Sequence, residues 1–523
     1  MVINTRDTYC NPIVLPDYPK LRAISRADRQ DVWGRSGKVM LSEADIMREA
    51  GLEISDVQLL YADVRSHEYG RIAENDVRAT ADPTVCYFDG RWYLYTTSGG
   101  IYDSDDMVHW TAHFDDTWMP ISAPMAPTVE RFRGGYYATA NSTPLHIADN
   151  PLGPWRLVGE WTLQDGREVL CNDPMIFADD DDRLYLYWGL GISIMGAELD
   201  PERPNMFLTE PKVLFQFDPE NWWERFGAGN EDWFRGFIEG SWMVKLNGTY
   251  YLTYSAAGTE YFNYCMGAYV SDSPLGEFKL QPSNPVSRSR TGFIKGGGHG
   301  SIVRGPKDTL WCFYTIPVSA DAIMERRIGM DPVGVAADGS LYALTGCDVP
   351  QFKPGILERP EDGNQAGLVQ LCTFKPTLAS SYAPGHYPLL AVDEALHTWW
   401  QPAEGDNKPQ FGVLLQGKYF ISAIRLMWKD IGLHFDAGID VGPYQYSIEY
   451  SDRAEGDYWT TLVDATENEI DLTVDYRTFD PVLAVRVRIT ITGSPEGVTP
   501  GLLDFSIFGV SAYHRKNKGE ERV

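Results

Sequence analysis

The 523-residue sequence lacks the features that would direct it to a membrane or to a nucleic acid. No apolar run approaches the ~20 residues that span a bilayer, and the start, MVINTRDTYC, lacks the charged-then-apolar layout of a secretion signal. Lys and Arg number 45 against 73 Asp and Glu, a net charge of −28, and no basic cluster is long enough to bind a phosphate backbone. We therefore expect a cytoplasmic protein without membrane or nucleic-acid partners; the oligomeric state is left open.

Closely spaced cysteine pairs are also missing. The seven cysteines are scattered through the chain at Cys10, Cys86, Cys171, Cys265, Cys312, Cys347 and Cys372. Their odd number and wide spacing favour neither a zinc site nor a disulfide framework. We expect most of them to be small buried hydrophobic side chains.

Aromatic residues, glycine and proline are plentiful. The chain contains 16 Trp, 29 Tyr and 22 Phe, with 49 Gly and 33 Pro. Aromatic side chains favour strands, and glycine and proline favour turns. The composition therefore predicts an all-β protein of short strands.

One pattern occurs five times: a strand, a tight turn, a strand rich in Tyr and Trp, and a third strand. The copies begin at Asp82, Ala126, Asp173, Glu239 and His299, which are 44, 47, 66 and 60 residues apart. The predicted turns are Asp89-Gly90, Gly134-Gly135, Asp180 to Asp182, Asn247-Gly248 and Lys307-Asp308. Because a β-propeller blade takes about 40–50 residues, the repeat predicts a five-bladed β-propeller with insertions before the last two blades.

The first residue of each copy predicts a functional site. The innermost strands of a propeller line its central axis, so Asp82, Asp173, Glu239 and His299 should meet at one mouth of the funnel. Fold stability does not call for three carboxylates in one partly dry pocket, because they repel and raise one another's pKa. Two opposed carboxylates can hydrolyse a glycosidic bond, and a third can keep the pKa of the proton donor high.

At these residues the sequence resembles glycoside hydrolase family 43, whose five-bladed propellers remove arabinofuranosyl and xylosyl units from plant polysaccharides. The similarity covers roughly residues 82–342. It implies that Asp82 is the general base, Asp173 the pKa modulator and Glu239 the general acid of an inverting hydrolase. No cofactor is required by this chemistry.

The resemblance implies further site residues. Arg326 falls where family members place an arginine that faces the sugar, with a surface ion pair as its alternative. His299 matches a histidine below the pocket that helps hold a calcium ion or a water in some members. Trp188, Trp242 and the Trp222-Trp223 pair are candidate sugar platforms, with a core position as the alternative for each. Met125 replaces a tryptophan that many members have at this wall of the pocket.

The predicted domains are an N-terminal extension (1–78), the propeller (79–357), a linker (358–370), a β-sandwich (371–512) and a polar tail (513–523). The extension departs from the family, whose members place the first Asp-Pro close to the start, and we expect it to pack on the propeller. The fourth segment resembles a discoidin-like jelly-roll module, which is a carbohydrate-binding module in some proteins. Its Asp393 and Trp400 are either structural or ligand-facing, and the module either binds carbohydrate or braces the propeller.

The sequence thus predicts an exo-acting glycosidase for oligosaccharides, with α-L-arabinofuranosidase as the first choice. β-Xylosidase and β-galactofuranosidase or galactosidase activities by the same mechanism are the alternatives, because pocket contacts decide between such sugars. A non-catalytic carbohydrate-binding propeller is the alternative from a different class.

Overall fold

The computed structural model describes residues 5–21, 37–54, 75–114 and 125–513. These ranges form a five-bladed β-propeller followed by a β-sandwich domain, which confirms the predicted fold class. No helix within them has the length and apolar character needed to cross a membrane. The cytoplasmic location stays a prediction, and the predicted tail from residue 514 onward lies outside the described residues.

Short elements from the N-terminal extension pack on the propeller. They are β1 (Thr8–Tyr9), β2 (Lys20–Leu21), helix α1 (Glu43–Glu49) and β3 (Val77–Arg78). Ser42 caps α1 in a reciprocal pair with Asp45, which satisfies amides that a helix start leaves free. Ile46 and Met47 of the same helix are buried in a core cluster of the third blade, so the extension is attached to the propeller by apolar packing.

In each blade the first four strands form an antiparallel sheet in chain order, and the fifth strand of blade three pairs with the third. Blades one to three are β4–β7 (Thr84–Phe88, Arg91–Tyr95, Ile101–Ser104, Trp110–Ala112), β8–β11 (Thr128–Phe132, Gly135–Thr139, Leu145–Ala148, Arg156–Gly159) and β12–β16 (Met175–Ala178, Leu184–Trp188, Ser193–Asp200, Arg203–Phe207, Lys212–Gln216). A hairpin, β17 (Arg225–Phe226) and β18 (Asp232–Gly236), follows in the insertion before blade four. Blades four and five are β19–β22 (Ile238–Leu246, Thr249–Ala256, Cys265–Ser271, Lys279–Leu280) and β23–β26 (Gly298–Arg304, Leu310–Pro317, Arg326–Val335, Leu341–Ala343).

Tight turns join the first two strands of the blades. In blades one and four the turns are Asp89-Gly90 (φ 49° and 89°) and Asn247-Gly248 (φ 50° and 85°). In blade two the turn is Arg133-Gly134, one residue earlier than predicted, because Gly135 already pairs with Phe132. Two consecutive residues with positive φ match the turn that follows the twist of a hairpin.

After blade five, β27 (Gln351–Phe352) pairs with β1, and a seven-stranded sheet then forms the C-terminal domain. Its strands are β28 (Val369–Gln370), β29 (Thr377–Ala379), β30 (Gln410–Ile431), β31 (Gln445–Ser451), β32 (Thr460–Ala465), β33 (Val474–Gly493) and β34 (Thr499–Ser511). Short 3₁₀ helices lie at Thr5–Asp7, Pro306–Asp308, Pro360–Asp362, Pro388–Ala391 and Phe435–Ala437. Trp400 is a core residue, and Asp393 accepts hydrogen bonds from Thr398 and Ala395 within its own turn, so both are structural.

The two domains share a core and buried ion pairs. Leu396 and Met427 of the C-terminal domain belong to the same apolar cluster as side chains of blades four and five. Arg78, four residues before Asp82, is fully buried between Asp430 (2.6 Å) and Asp471. The C-terminal domain therefore braces the segment that leads into the first blade.

Candidate active site

The structure brings Asp82, Asp173, Glu239 and His299 together at one end of the propeller axis. His299 Nδ1 lies 3.4 Å from Asp82 Oδ1 and 3.6 Å from Asp173 Oδ2. The amide of Gly240, next to Glu239, donates to Asp173 Oδ2 at 3.2 Å. The first residues of four separate innermost segments thus surround one site.

The backbone at these positions has an uncommon conformation. Asp82, Ala126, Asp173 and His299 have φ values of 51°, 47°, 45° and 33°. In blade four the residue with positive φ is Gly240 (57°), one position after Glu239, and a bulge follows in β19. Such conformations cost energy in non-glycine residues and concentrate at functional sites. Here they redirect the chain at the mouth of the funnel.

Asp82 is buried in a shell of hydrogen-bond and charge partners. Thr97 Oγ1 donates to its Oδ2 at 2.6 Å, and Arg326 Nη1 lies 3.2 Å from its Oδ1. Its backbone amide donates to Thr315 Oγ1 at 2.9 Å. Burial alone would raise the pKa of Asp82, but the Arg326 guanidinium, His299 and the Thr97 hydroxyl together hold that pKa below its usual value. The carboxylate is therefore ionised at neutral pH.

Glu239 has the opposite protonation preference. Burial raises the pKa of Glu239 to about 7, against the hydrogen bond that the Tyr264 hydroxyl donates to its Oε1, and the negative charge of Asp82 adds to the rise. Burial and the charges of Glu239 and Asp82 also raise the pKa of Asp173 well above its usual value. One ionised and two proton-holding carboxyls therefore share the pocket.

His299 is a neutral side chain at the base of the site, with 13% of its side chain exposed. Burial lowers the pKa of its imidazole, more than the neighbouring Asp82 raises it. A Cβ on Gly240 would come within 2.7 Å of His299 Cγ, so the imidazole packs directly on the backbone next to Glu239. Within the described ranges no three His, Cys, Asp or Glu side chains are arranged to hold a metal ion, and the predicted calcium stays a prediction.

Comparison with known families identifies both domains. Residues 77–341 match the family profile described as "Glycosyl hydrolases family 43", which covers half of the chain and includes all four of these residues. The chain belongs to this family. It is accordingly a glycoside hydrolase of the inverting type. Residues 377–502 match the F5/8 type C domain, which agrees with the predicted discoidin-like module.

Individual relatives are distant and carry several activities in their names. A beta-D-galactofuranosidase of Aspergillus niger is 25% identical over 283 residues, 47% of this chain and 77% of that protein. A xylosidase/arabinosidase of Bacteroides ovatus is 24% identical over 263 residues, 38% of this chain and 76% of that protein. An arabinoxylan arabinofuranohydrolase of Paenibacillus polymyxa is 25% identical over 383 residues, 62% of this chain and 57% of that protein.

Arg326 lies beside Asp82 in this family 43 site, whereas Met125 is linked to Asp173 through Asn141. Besides Asp82, Arg326 Nη1 donates to Thr259 Oγ1 at 3.1 Å, and the arginine side chain is almost fully buried, so it is not the surface ion pair of the alternative interpretation. Met125 is half-buried and accepts a hydrogen bond through its carbonyl from Asn141. Asn141 in turn accepts from the amide of Asp173.

Trp188 and Trp242 are not at the sugar pocket, which corrects their prediction as platforms. Trp188 is 1% exposed and packs against Phe207 in the core of blade three. Trp242 is 9% exposed and donates from its indole nitrogen to the carbonyl of Ile302. A ring enclosed by core side chains has no free face for a sugar. The sequence alone does not show that these two tryptophans are buried. Successive residues of a strand point to opposite faces of the sheet, so an aromatic residue close to an acid in the sequence need not face the same space.

The Trp222-Trp223 pair is divided between the surface and the core. Trp223 is buried and donates to the Tyr254 hydroxyl at 3.1 Å. Trp222 is 38% exposed, stacks with Arg288 at 4.4 Å, and lines a cleft of about 820 Å³ that also includes Tyr342. The described lining of this cleft contains none of the three acids, and Trp222 as a sugar platform stays a prediction.

Sequence reasoning missed the hydroxyl groups that surround the acids. Thr97 follows the second strand of blade one in Tyr-Thr-Thr, and Thr315 lies within the second strand of blade five in Tyr-Thr-Ile. The shared Tyr-Thr pair could have drawn attention to both places, although it aligns Thr315 with Thr96 and not with Thr97. Tyr264, the hydrogen-bond partner of Glu239, is 25 residues away in a loop without a repeated motif. Nothing in the sequence singles it out.

Proposed function

We propose that Asp82 is the general base, Glu239 the general acid and Asp173, whose own pKa is raised in part by the charge of Glu239, the pKa modulator. The observation that carries this assignment is the contrast between two buried carboxyls of one pocket: Asp82 lies 3.2 Å from the Arg326 guanidinium, whereas Glu239 accepts a hydrogen bond from the neutral hydroxyl of Tyr264. The pKa of Asp82 is lowered beside Arg326, and the pKa of Glu239 is raised to about 7 by burial and by Asp82. A base must be ionised and an acid protonated at the same pH for the pair to act.

The proposed reaction is a single displacement. The Asp82 carboxylate removes a proton from a water molecule, whose oxygen forms a bond to the anomeric carbon of the sugar. The bond from that carbon to the glycosidic oxygen breaks, and the Glu239 carboxyl gives its proton to the departing oxygen. Arg326 lies beside the base and faces the same space, and we propose that it also contacts the sugar.

As substrate we propose a terminal α-L-arabinofuranosyl unit of a plant-type oligosaccharide, released by exo-acting hydrolysis. The names of the Paenibacillus and Bacteroides relatives support arabinose as the sugar. The Aspergillus relative favours β-D-galactofuranose as the second candidate. Both are furanoses, and β-xylose is the pyranose alternative.

A panel of aryl glycosides tests this substrate. We expect turnover of the α-L-arabinofuranoside to exceed that of the β-D-galactofuranoside and the β-D-xyloside, and proton NMR of the first product to show the inverted anomer. Faster turnover of another sugar would replace arabinose in the proposal. Absence of turnover with all of them would favour a non-catalytic carbohydrate-binding propeller.

The variant Asp82→Asn tests the base. Without a carboxylate to accept the proton of water, we expect kcat to fall by about 10²–10⁴-fold on both activated aryl and unactivated substrates. Asp105→Asn, which changes an exposed aspartate of the same blade, is the matched control and should retain full activity. Wild-type rates in the Asp82 variant would contradict the assignment.

A further inference from the structure

The segment 190–193 links helix α1 to the strand that carries Glu239. Helix α1 lies outside residues 77–341, which match the family profile. We propose that Glu43 of this helix is a positioning residue for Glu239, because its carboxylate holds the 190–193 loop against the strand that bears the acid. The inference rests on the proposed role of Glu239.

The Glu43 carboxylate sits among hydrogen-bond donors of one loop. Its Oε2 accepts from the amide of Leu190 at 3.0 Å, and its Oε1 accepts from the amide and the hydroxyl of Ser193, both at 2.7 Å. The amide of Ile192 also faces the carboxylate. Several donors of one loop thus converge on the single carboxyl group of Glu43 and form a concavity around it.

The same loop contacts the strand of the general acid. Leu190 forms a bridge with Glu239 itself, and the amide of Gly191 donates to the carbonyl of Ile238 at 2.8 Å. Gly189 and Gly191 flank Leu190 with φ values of 158° and 99°. Because glycine leaves the backbone conformationally free, this loop depends on contacts with other segments to hold it in one conformation. Glu43 provides such a contact: it binds Leu190, and Leu190 in turn contacts Glu239.

The loop also packs against the beginning of the strand that carries Glu239. Leu190 lies against Phe226 and Phe237, and Phe237 precedes the strand residue Ile238. The backbone of Glu239 is thus held on one side by Leu190 and on the other by the hydrogen bond from Gly240 to Asp173. A displacement of the loop would move the general acid relative to Asp173, while the surroundings of Asp82 in blades one and five would stay unchanged.

The experiment compares Glu43→Gln with Glu49→Gln in the full chain. The first substitution keeps the size of the side chain but presents an NH₂ group to one of the loop amides, so at least one hydrogen bond is lost. Glu49 is on the same helix and forms an exposed ion pair with Arg167, which makes its variant a matched control. Two quantities are measured: hydrogen exchange of the 190–193 amides, and kcat/KM on substrates with and without an activated leaving group.

For E43Q we expect the loop amides to exchange about tenfold faster, the factor that one lost hydrogen bond gives. We also expect a loss of kcat/KM at least about tenfold larger on the unactivated substrate, since only that leaving group needs the proton of Glu239. E49Q should match the wild type in both. Ser193→Ala removes a single donor and keeps the Glu43 carboxyl group. It should change the exchange rate of the loop amides and the kcat/KM on the unactivated substrate in the same directions, but by smaller factors.

Two results would overturn the inference. One is wild-type exchange of the loop in both E43Q and S193A. The other is faster exchange with equal loss on both substrate types, which would make Glu43 a stabilising residue only. A wild-type chain that hydrolyses no glycoside would instead overturn the proposed function, and the exchange data would still report whether Glu43 orders the loop.

Discussion

Single side chains decide which carboxyl of the site holds a proton. All three acids are buried, and burial alone would raise the pKa of each. Asp82 differs because Arg326 lies 3.2 Å away, whereas Glu239 has a neutral hydroxyl, that of Tyr264, as its partner. The difference in protonation between these carboxyls therefore comes from their neighbours and not from the acids themselves.

The variant Tyr264→Phe tests whether a single neighbouring hydrogen bond sets the pKa of Glu239. The hydroxyl donates to Glu239 and stabilises its ionised form, so its removal should raise the pKa of Glu239 beyond its value of about 7. Because the acid must be protonated to act, the alkaline limb of the pH profile of kcat/KM should move to higher pH, by about one unit.

The matched control for that variant is Tyr251→Phe. Tyr251 belongs to the same blade, and its hydroxyl donates to the carbonyl of Gly339, away from the acids. Its profile should overlay that of the wild type. An unchanged alkaline limb in the Tyr264 variant would show that another group sets this limb.

At the scale of strands and turns, the first segments of the blades share a backbone kink that the repeat alone does not show. Sequence alignment equates Glu239 with Asp82 and Asp173, but in blade four the residue with positive φ is Gly240. The bulge in β19 shifts the blade by one residue. The hairpins, in contrast, follow their Asp-Gly and Asn-Gly turns as predicted, because short loops with positive φ accept few residue types.

Gly240→Ala tests the kink. Its φ of 57° disfavours a side chain, and the new Cβ would meet His299 at 2.7 Å. We expect the free energy of unfolding to fall by about 2–4 kcal/mol, from backbone strain and overpacking together, and kcat to fall with it. Denaturant unfolding and kinetics measure the two effects.

Gly248→Ala provides the comparison. Gly248 also has positive φ (85°), but a Cβ at this position would have no atom of the described residues within 4 Å, so only the backbone strain of about 1 kcal/mol should appear. Its activity should be that of the wild type. An equal loss of unfolding free energy in the two variants would mean that the contact with His299 does not contribute to the effect of Gly240→Ala.

For the whole molecule, the contacts between domains indicate that the C-terminal module braces the propeller. Arg425 is fully buried, pairs with Asp504 at 2.9 Å and donates to the carbonyls of Asn11 (2.7 Å) and Asp348 (3.1 Å). One side chain of the C-terminal domain thus joins the N-terminal extension and the end of the propeller. An apolar cluster that includes Leu396 and Leu503 also extends into blades four and five.

Arg425→Met tests this coupling. The substitution leaves Asp504 buried without its cation, and the expected loss is about 3–5 kcal/mol of unfolding free energy. Calorimetry should show one unfolding transition in the wild type, shifted as a whole to lower temperature in the variant. Arg453→Met, an exposed arginine of the same domain, should change the midpoint little. Two separate transitions, with that of the propeller unmoved, would contradict the coupling.

The sequence by itself determined the repeated strand-turn-strand unit, the five-bladed architecture and the identity of the acids, because each rests on a local pattern that recurs at a fixed position. Only the tertiary structure decided that Trp188 and Trp242 belong to the core, that Tyr264 and Thr97 contact the acids, and that Glu43 reaches the loop beside Glu239. These contacts join residues from different blades and segments, and their distances depend on how the blades pack rather than on spacing along the chain.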